Sequence, residues 1–215
     1  MKKIIIINRF GDFNWKTVGI LVAAATVFTI FGFMGLDLWL FSHVRSYDAG
    51  AWNFIDFFGK WYRLLALSVI MFSISRYFHE KKLMMAFGNA TLAIIAAMFV
   101  TGVLKIAFGR MRPFMYEALG ATEFRPFSLS DTFHSFPSGH TAAALAFLVS
   151  LGIIFPKIRA LTWAASFLVA LSRVAIGAHW PSDVVIGAAV GAAAAYFIIY
   201  VRKKHLAYLI EKRQK

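Results

Sequence analysis

The sequence predicts an all-α fold, a six-transmembrane helical bundle, and three observations carry that expectation. Of 215 residues, 60% are hydrophobic and only 15% are charged, whereas about a quarter of a typical soluble domain is charged. Apolar runs with almost no charge recur at the length of about 20 residues that a helix needs to cross a hydrocarbon core. The Lys and Arg residues punctuate those runs and do not gather on one soluble face, so the net charge of +13 does not describe a nucleic-acid surface. Cysteine is absent, which excludes disulfides, thiolate metal sites and cysteine nucleophiles.

The chain reads as a single integral membrane domain over residues 1–215. The first span, Thr17 to Leu40, follows a basic start in which Ile4 to Ile7 is expected at the interface. No small-residue cleavage site follows, and the run is longer than a secretory leader requires, so it reads as an uncleaved helix. The second span, Trp61 to Phe78, and the fifth, Ala160 to Ala178, are trimmed by Arg63, Arg76 and Arg173. Those charges need either snorkelling or a functional reason. The third, Leu83 to Phe108, is a long apolar run, and the fourth, Ser138 to Phe155, opens just after Pro137. The sixth, Asp183 to Val201, contains Ala188 to Ala195, small residues that let helices approach closely. Between the first two spans, Phe41 to Lys60 is rich in aromatics and glycine. It is expected to lie on the membrane surface, with Trp52 and Trp61 at headgroup level. Gly109 to Pro137 is the long polar loop of the chain, and loops of that length are usually functional or disordered.

Orientation follows from the flanking cations, which are retained on the cytoplasmic side. In the six-span arrangement one side collects 15 of the 23 Lys and Arg residues with three acids, and the other carries eight with seven acids. Both termini are therefore expected in the cytoplasm.

Costly polar residues then fall on the opposite face. Lys105 lies near the outward end of the third span and Arg112 follows in the loop; Ser138, Gly139 and His140 open the fourth span; Arg173 and His179 sit near and past the end of the fifth; Asp183 begins the sixth. Cations facing a helix N-terminus make an anion site, because the first backbone N–H groups are unpaired and the helix dipole is positive there. Gly139 permits close backbone approach, the Ser138 hydroxyl can donate, and the Arg112 and Arg173 forks match phosphate oxygens. His179 and Asp183 are four apart and can share a helical face. The carboxylate could then fix the tautomer and leave the other ring nitrogen free to attack phosphorus.

These residues resemble the type 2 phosphatidic acid phosphatase family, whose superfamily also contains bacterial acid phosphatases and vanadium haloperoxidases. Its three-part pattern is present in order: Lys105, six residues, Arg112-Pro113; Pro137-Ser138-Gly139-His140; and Ser172-Arg173, five residues, His179, three residues, Asp183. The resemblance implies a two-step hydrolysis of a lipid phosphate at the periplasmic face of a bacterial cytoplasmic membrane. His179 would become a phosphohistidine with Asp183 orienting it, and His140 would serve as general acid and then base. Lys105, Arg112, Ser138, Gly139 and Arg173 would hold the phosphoryl oxygens, with no metal or cofactor required.

The resemblance leaves the substrate open among lipid A, undecaprenyl diphosphate, phosphatidylglycerophosphate and phosphatidic acid. Arg110 and Arg125, in the long loop but outside the pattern, are candidates for contact with a second phosphate or an acidic headgroup, which favours lipid A or a diphosphate. Phe124, Phe127, Phe133 and Phe136 fit either a lid or an interfacial belt. His43, His79, His134 and His205 read as solvated or interfacial, and the basic stretch after Val201 as a contact for anionic lipid. The alternatives are a phosphotransferase passing the phosphoryl group to a second lipid, a vanadium-dependent haloperoxidase, and a non-enzymatic lipid transporter or scaffold.

Overall fold

Helices account for almost all of the regular structure in the computed structural model, which describes residues 15–48 and 50–212. Nine α-helices follow one another among these residues: α1 (Trp15–Phe31), α2 (Asp37–Val44), α3 (Gly50–Gly59), α4 (Trp61–Tyr77), α5 (Lys81–Phe108), α6 (Pro113–Leu119), α7 (Gly139–Ile154), α8 (Arg159–Ala175) and α9 (Pro181–Lys212). The expectation for Ile4 to Ile7 lies outside the described residues. A π-helical turn, Gly32–Leu36, joins α1 to α2.

The central element is α7, which packs against α5, α8 and α9. Ala142, Ala143, Ala144, Leu145, Ala146 and Phe147 are all buried, as an apolar helix must be when neighbours surround it. Among the described residues, four helical stretches are long and apolar enough to cross a membrane: Val18–Val44, Lys81–Phe108, Pro156–Ala175 and Pro181–Leu209. A fifth span arises when Gly50–Gly59 and Trp61–Tyr77, bent by 46° at Lys60, are taken together. The expected fourth span coincides with α7, which is apolar but shorter than these, 16 residues. Phe41 to Lys60, expected as a surface connection, is thus mostly helical and contributes α3. The last helix continues to Lys212, well past the expected boundary at Val201.

Small residues set the closest helix approach. On α9, a Cβ added to Gly187 would meet the Ser138 carbonyl oxygen at 2.5 Å, and one added to Gly191 would meet the Ala142 carbonyl oxygen at 2.1 Å. This intimacy brings the start of α9 against the start of α7, where the Ser138 N–H donates to the Asp183 carbonyl at 2.9 Å. Gly191→Ala is expected to force the two helices apart and to cost about 1–3 kcal/mol, the usual scale of overpacking. Thermal unfolding in detergent should register the change as a lower midpoint.

The loop over residues 109–137 is tied down by backbone hydrogen bonds. Met111 N–H donates to Glu123 (2.9 Å), Arg125 to Gly109 (2.7 Å), Arg112 to Thr132 (3.0 Å) and Ser135 to Arg110 (3.0 Å). Gly109 ends α5 at φ 57°, and a Cβ there would lie 1.7 Å from the Arg125 carbonyl oxygen, so only glycine permits this crossing. Phe133 and Phe136 are buried while Phe127 is 78% exposed, so the four loop phenylalanines do not act as one belt.

Candidate active site

The unpaired first turn of α7 faces side chains delivered by four other segments. Ser138 is the N-cap residue, and its Oγ accepts from the Thr141 N–H (3.5 Å) and the Thr141 hydroxyl (3.0 Å). Its own hydroxyl proton remains for another acceptor. Gly139 sits under Lys105, whose Cε would be 3.8 Å from an added Cβ. Lys105, near the end of α5, donates from Nζ to the His134 carbonyl at 2.5 Å. That bond uses one of its three donors. Arg112, at the extended residue before Pro113 and α6, donates from Nε to the Asp131 carbonyl (2.8 Å) and from Nη1 to the Ala178 carbonyl (3.3 Å). Burial first, and then the charge of Arg173, lower the Arg112 guanidinium from its ordinary value.

Arg173 is buried in the last turn of α8. Its Nη1 is paired with Asp56 of α3, and its buried Nε has no partner. Just beyond α8, Gly177 takes φ 77° and His179 N–H donates back to the Arg173 carbonyl at 3.1 Å. That turn places a histidine 1% exposed beside the cations. Burial pushes its pKa well below the ordinary 6.5, and the charges of Arg112, Lys105 and Arg173 and the neighbouring His140 act in the same direction. The ring is therefore neutral at pH 7, with a lone pair for nucleophilic attack. His140, half-buried in the first turn of α7, is the other imidazole of the group.

Asp183 approaches His179 but does not yet bond to it. His179 Nδ1 lies 3.7 Å from Asp183 Oδ2 and has no hydrogen-bond partner. The carboxylate is instead fixed by Arg110 Nη1 (2.7 Å), the Ser135 hydroxyl (2.5 Å) and the Trp180 N–H (2.9 Å). Catalytic hydrogen bonds are often long without substrate and tighten once it is bound.

The structure thus brings together Lys105, Arg112, Ser138, Gly139, His140, Arg173, His179 and Asp183, which span about 80 residues of sequence. Arg110 departs from expectation: it does not face a headgroup but is buried, with both terminal nitrogens donating to Asp37 and Asp183. Arg125 is exposed, pairs with Glu123 at 2.5 Å, and stacks over the Phe133 ring at 4.7 Å. His134, expected to be solvated or interfacial, is half-buried, and its ring nitrogen lies 2.8 Å from the Ser128 carbonyl. The participants not expected from sequence are Asp37, Asp56 and Ser135. Both carboxylates had a readable signal, since an acid inside an apolar stretch is costly enough to imply a partner. Among the described residues, no group of three or more His, Cys, Asp or Glu side chains could hold a metal ion.

Comparisons with known proteins bear on the family and the fold. Lipid A 1-phosphatases of Rhizobium johnstonii and Rhizobium etli are each 38% identical to this chain, over 99 and 98 residues. Each match takes in 46% of this chain and only 41% and 42% of the relative, respectively, so the chain spans about two-fifths of the length of these curated relatives. The crystal structure of Aquifex aeolicus LpxE matches with TM-score 0.54 and 23% identity, over 77% of this chain and 95% of that one. The first transmembrane PAP2 type phosphatidylglycerolphosphate phosphatase from Bacillus subtilis matches with TM-score 0.62 and 22% identity, over 88% and 94%. At those identities the two structures speak to the fold. The PAP2 superfamily model matches residues 86–207, which hold every residue of the candidate site's three-part pattern. The chain belongs to the PAP2 superfamily.

Proposed function

We propose that this protein is a metal-independent lipid phosphate phosphatase that works through a phosphohistidine on His179. The observation that carries the proposal is a buried imidazole backed by Asp183 at 3.7 Å and set among three cations and a helix N-terminus. In the first step, the His179 Nε2 lone pair forms a bond to phosphorus. The bond from phosphorus to the lipid oxygen breaks, and that oxygen takes a proton from His140. In the second step His140 removes a proton from water, whose oxygen displaces His179 and yields inorganic phosphate. Lys105, Arg112, Arg173, the Ser138 hydroxyl and the Gly139 N–H hold the equatorial oxygens as charge builds on them.

Lipid A is the first candidate substrate, on the strength of the relatives' name. We place the protein in a bacterial cytoplasmic membrane as one six-span unit, with α7 counted as a span. Both termini are in the cytoplasm and the site faces the periplasm, because 15 cations flank the opposite ends of the helices. The lipid chains would leave sideways between helices while the phosphate sits at headgroup height.

Purified protein should be offered lipid A, phosphatidic acid, phosphatidylglycerophosphate and undecaprenyl diphosphate in parallel, with EDTA present. The expected result is fastest phosphate release from lipid A, and an acid-labile phosphate on His179 after rapid quenching. Loss of turnover with the chelator, or a steady state without phosphoenzyme, would refute the mechanism. Label transferred to a second lipid with little free phosphate would identify a phosphotransferase.

The lowered His179 pKa also sets a pH dependence. Only the neutral His179 ring attacks, so the acid limb that it sets in kcat/KM should lie below pH 6.5, the ordinary histidine value, while loss of the His140 proton that the first step consumes sets the alkaline limb. Removing a nearby cation, as in Arg112→Met, should move that acid limb upward in the residual activity. An acid limb at or above pH 6.5 in the unaltered protein would contradict a buried ring among cations.

A further inference from the structure

The first span reaches the nucleophile through a single arginine. Asp37 follows the π-helical turn Gly32–Leu36, in which Gly35 takes φ 120°. Such turns insert a residue into a helix and recur at functional sites. Here the turn delivers a carboxylate that is only 2% exposed into the heart of the bundle. Backbone and side chains meet so closely that a Cβ on Gly32 would lie 2.8 Å from both Asp37 Oδ2 and Ser182 Cβ.

Asp37 is fully engaged. Its Oδ2 accepts from Arg110 Nη2 (2.7 Å) and the Ser182 hydroxyl (2.5 Å), and its Oδ1 accepts from the Ser182 N–H (2.8 Å). Arg110 Nη1 turns the other way, to Asp183 Oδ1 (2.7 Å) and the Ser182 hydroxyl oxygen (2.8 Å). The guanidinium carbon lies 4.6 Å from the Phe33 ring centroid, 5.3 Å from Trp180 and 5.8 Å from Phe124, a geometry that favours a cation. The fork is therefore held in one orientation from both ends and from its faces.

The charges of this chain do not cancel. One guanidinium between two carboxylates leaves a single negative charge, and it sits behind His179, whose Nδ1 is the atom without a partner. The other groups that act most strongly on that ring are cationic or a histidine: Lys105 on α5, Arg112 in the loop, His140 on α7 and Arg173 on α8; Asp56 is paired with Arg173, and Asp131 acts on Lys105 and Arg112. When Nε2 bonds to phosphorus the ring becomes cationic. The surplus negative charge is then what the imidazolium meets.

We propose that Asp37 and Arg110 are positioning residues that fix Asp183 and set its effective charge behind the nucleophile, making the first span part of the catalytic apparatus. Asp37 holds half of the Arg110 charge away from Asp183 and so preserves the carboxylate's pull on His179. Asp37 lies outside residues 86–207, the stretch matched by the family model. This inference rests on the phosphohistidine reading.

The test uses Asp37→Asn, Arg110→Gln and Arg110→Lys in the full-length protein, with radiolabelled lipid A, recording kcat, KM, the acid limb of kcat/KM and phosphoenzyme on His179. Asp37→Asn removes a negative charge, so the limb should move to lower pH. Its kcat should fall about tenfold, the scale on which groups behind a reacting residue act, with KM nearly unchanged. Arg110→Gln removes a positive charge, so the limb should move to higher pH, with a larger loss of kcat. Arg110→Lys keeps the charge without the fork, so the limb should return to its original position while kcat recovers only in part.

A bolt that only joins the first span to the bundle would lower thermal stability in all three variants and leave the limb where it was. That outcome overturns the inference. Should Asp37→Asn fail to fold, the contrast between Arg110→Lys and Arg110→Gln still decides, because a structural bolt predicts the same pH profile for both. Absence of label from His179 in the unaltered protein defeats the underlying phosphohistidine reading instead.

Discussion

Replacing His179 by alanine is expected to lower kcat by roughly 10⁴-fold or more, the scale seen when the nucleophile of a coupled catalytic group is removed. The size follows from the absence of a substitute. The other imidazole of the site, His140, is assigned to proton transfer, and the remaining cations and helix N-terminus can only bind the substrate and polarise it. The same substitution should leave the fold nearly intact. His179 Nδ1 makes no hydrogen bond that would be lost. Asp183 keeps its bonds to Arg110, Ser135 and Trp180, so no buried carboxylate is stranded. The loss should therefore appear in kcat and in the missing phosphoenzyme, with the thermal midpoint close to that of the unaltered protein. Phosphate release that persists in the alanine variant would remove His179 from the chemistry. Asp183→Asn makes a useful contrast. It removes the anion behind the ring but also disturbs Arg110, so it should reduce both kcat and stability.

Much of this site was legible in the chain because its chemistry is carried by short local patterns. Pro137-Ser138-Gly139-His140 announces a helix N-terminus and an imidazole within four residues, and His179 and Asp183 declare their relation by spacing. The helices were equally legible: α4, α5, α7 and α8 begin and end within a few residues of the apolar runs that predicted them. What escaped were pairings over long separations. Asp37 meets Arg110 across 73 residues, and Asp56 meets Arg173 across 117. Neither partner is fixed by periodicity or spacing, so only the tertiary packing reveals them. Arg110 eludes sequence reasoning for the same reason. A loop arginine near a phosphate site points by default to the ligand, and the two buried acids that draw it inward lie on other helices. The π-helical turn that aims Asp37 is also invisible to a hydropathy pattern, because it changes the direction of the helix without changing its composition.

Arg173→Ala is expected to reduce kcat/KM by about 10²–10³-fold, the usual result of deleting one preorganised donor to developing charge. The lost group is unusually well placed to act. Asp56 takes Nη1 and so fixes the guanidinium, while the buried Nε is left without a partner and free for a phosphoryl oxygen. The substitution also leaves the carboxylate of Asp56, a buried residue, without its cation. Breaking a buried ion pair from one side typically costs about 3–5 kcal/mol, so a fall in thermal midpoint should accompany the loss of activity. A double-mutant cycle separates the two effects. Asp56→Ala alone should lower stability by stranding Arg173 and should weaken activity less than Arg173→Ala, because the guanidinium remains near the site but loses its fixed direction. The double variant should regain much of the stability, since no unpaired charge remains, while its activity stays as low as that of Arg173→Ala. If stability and activity instead recover together in the double variant, Arg173 serves only to balance Asp56, and the phosphate contacts must come from Lys105, Arg112 and the first turn of α7 without it.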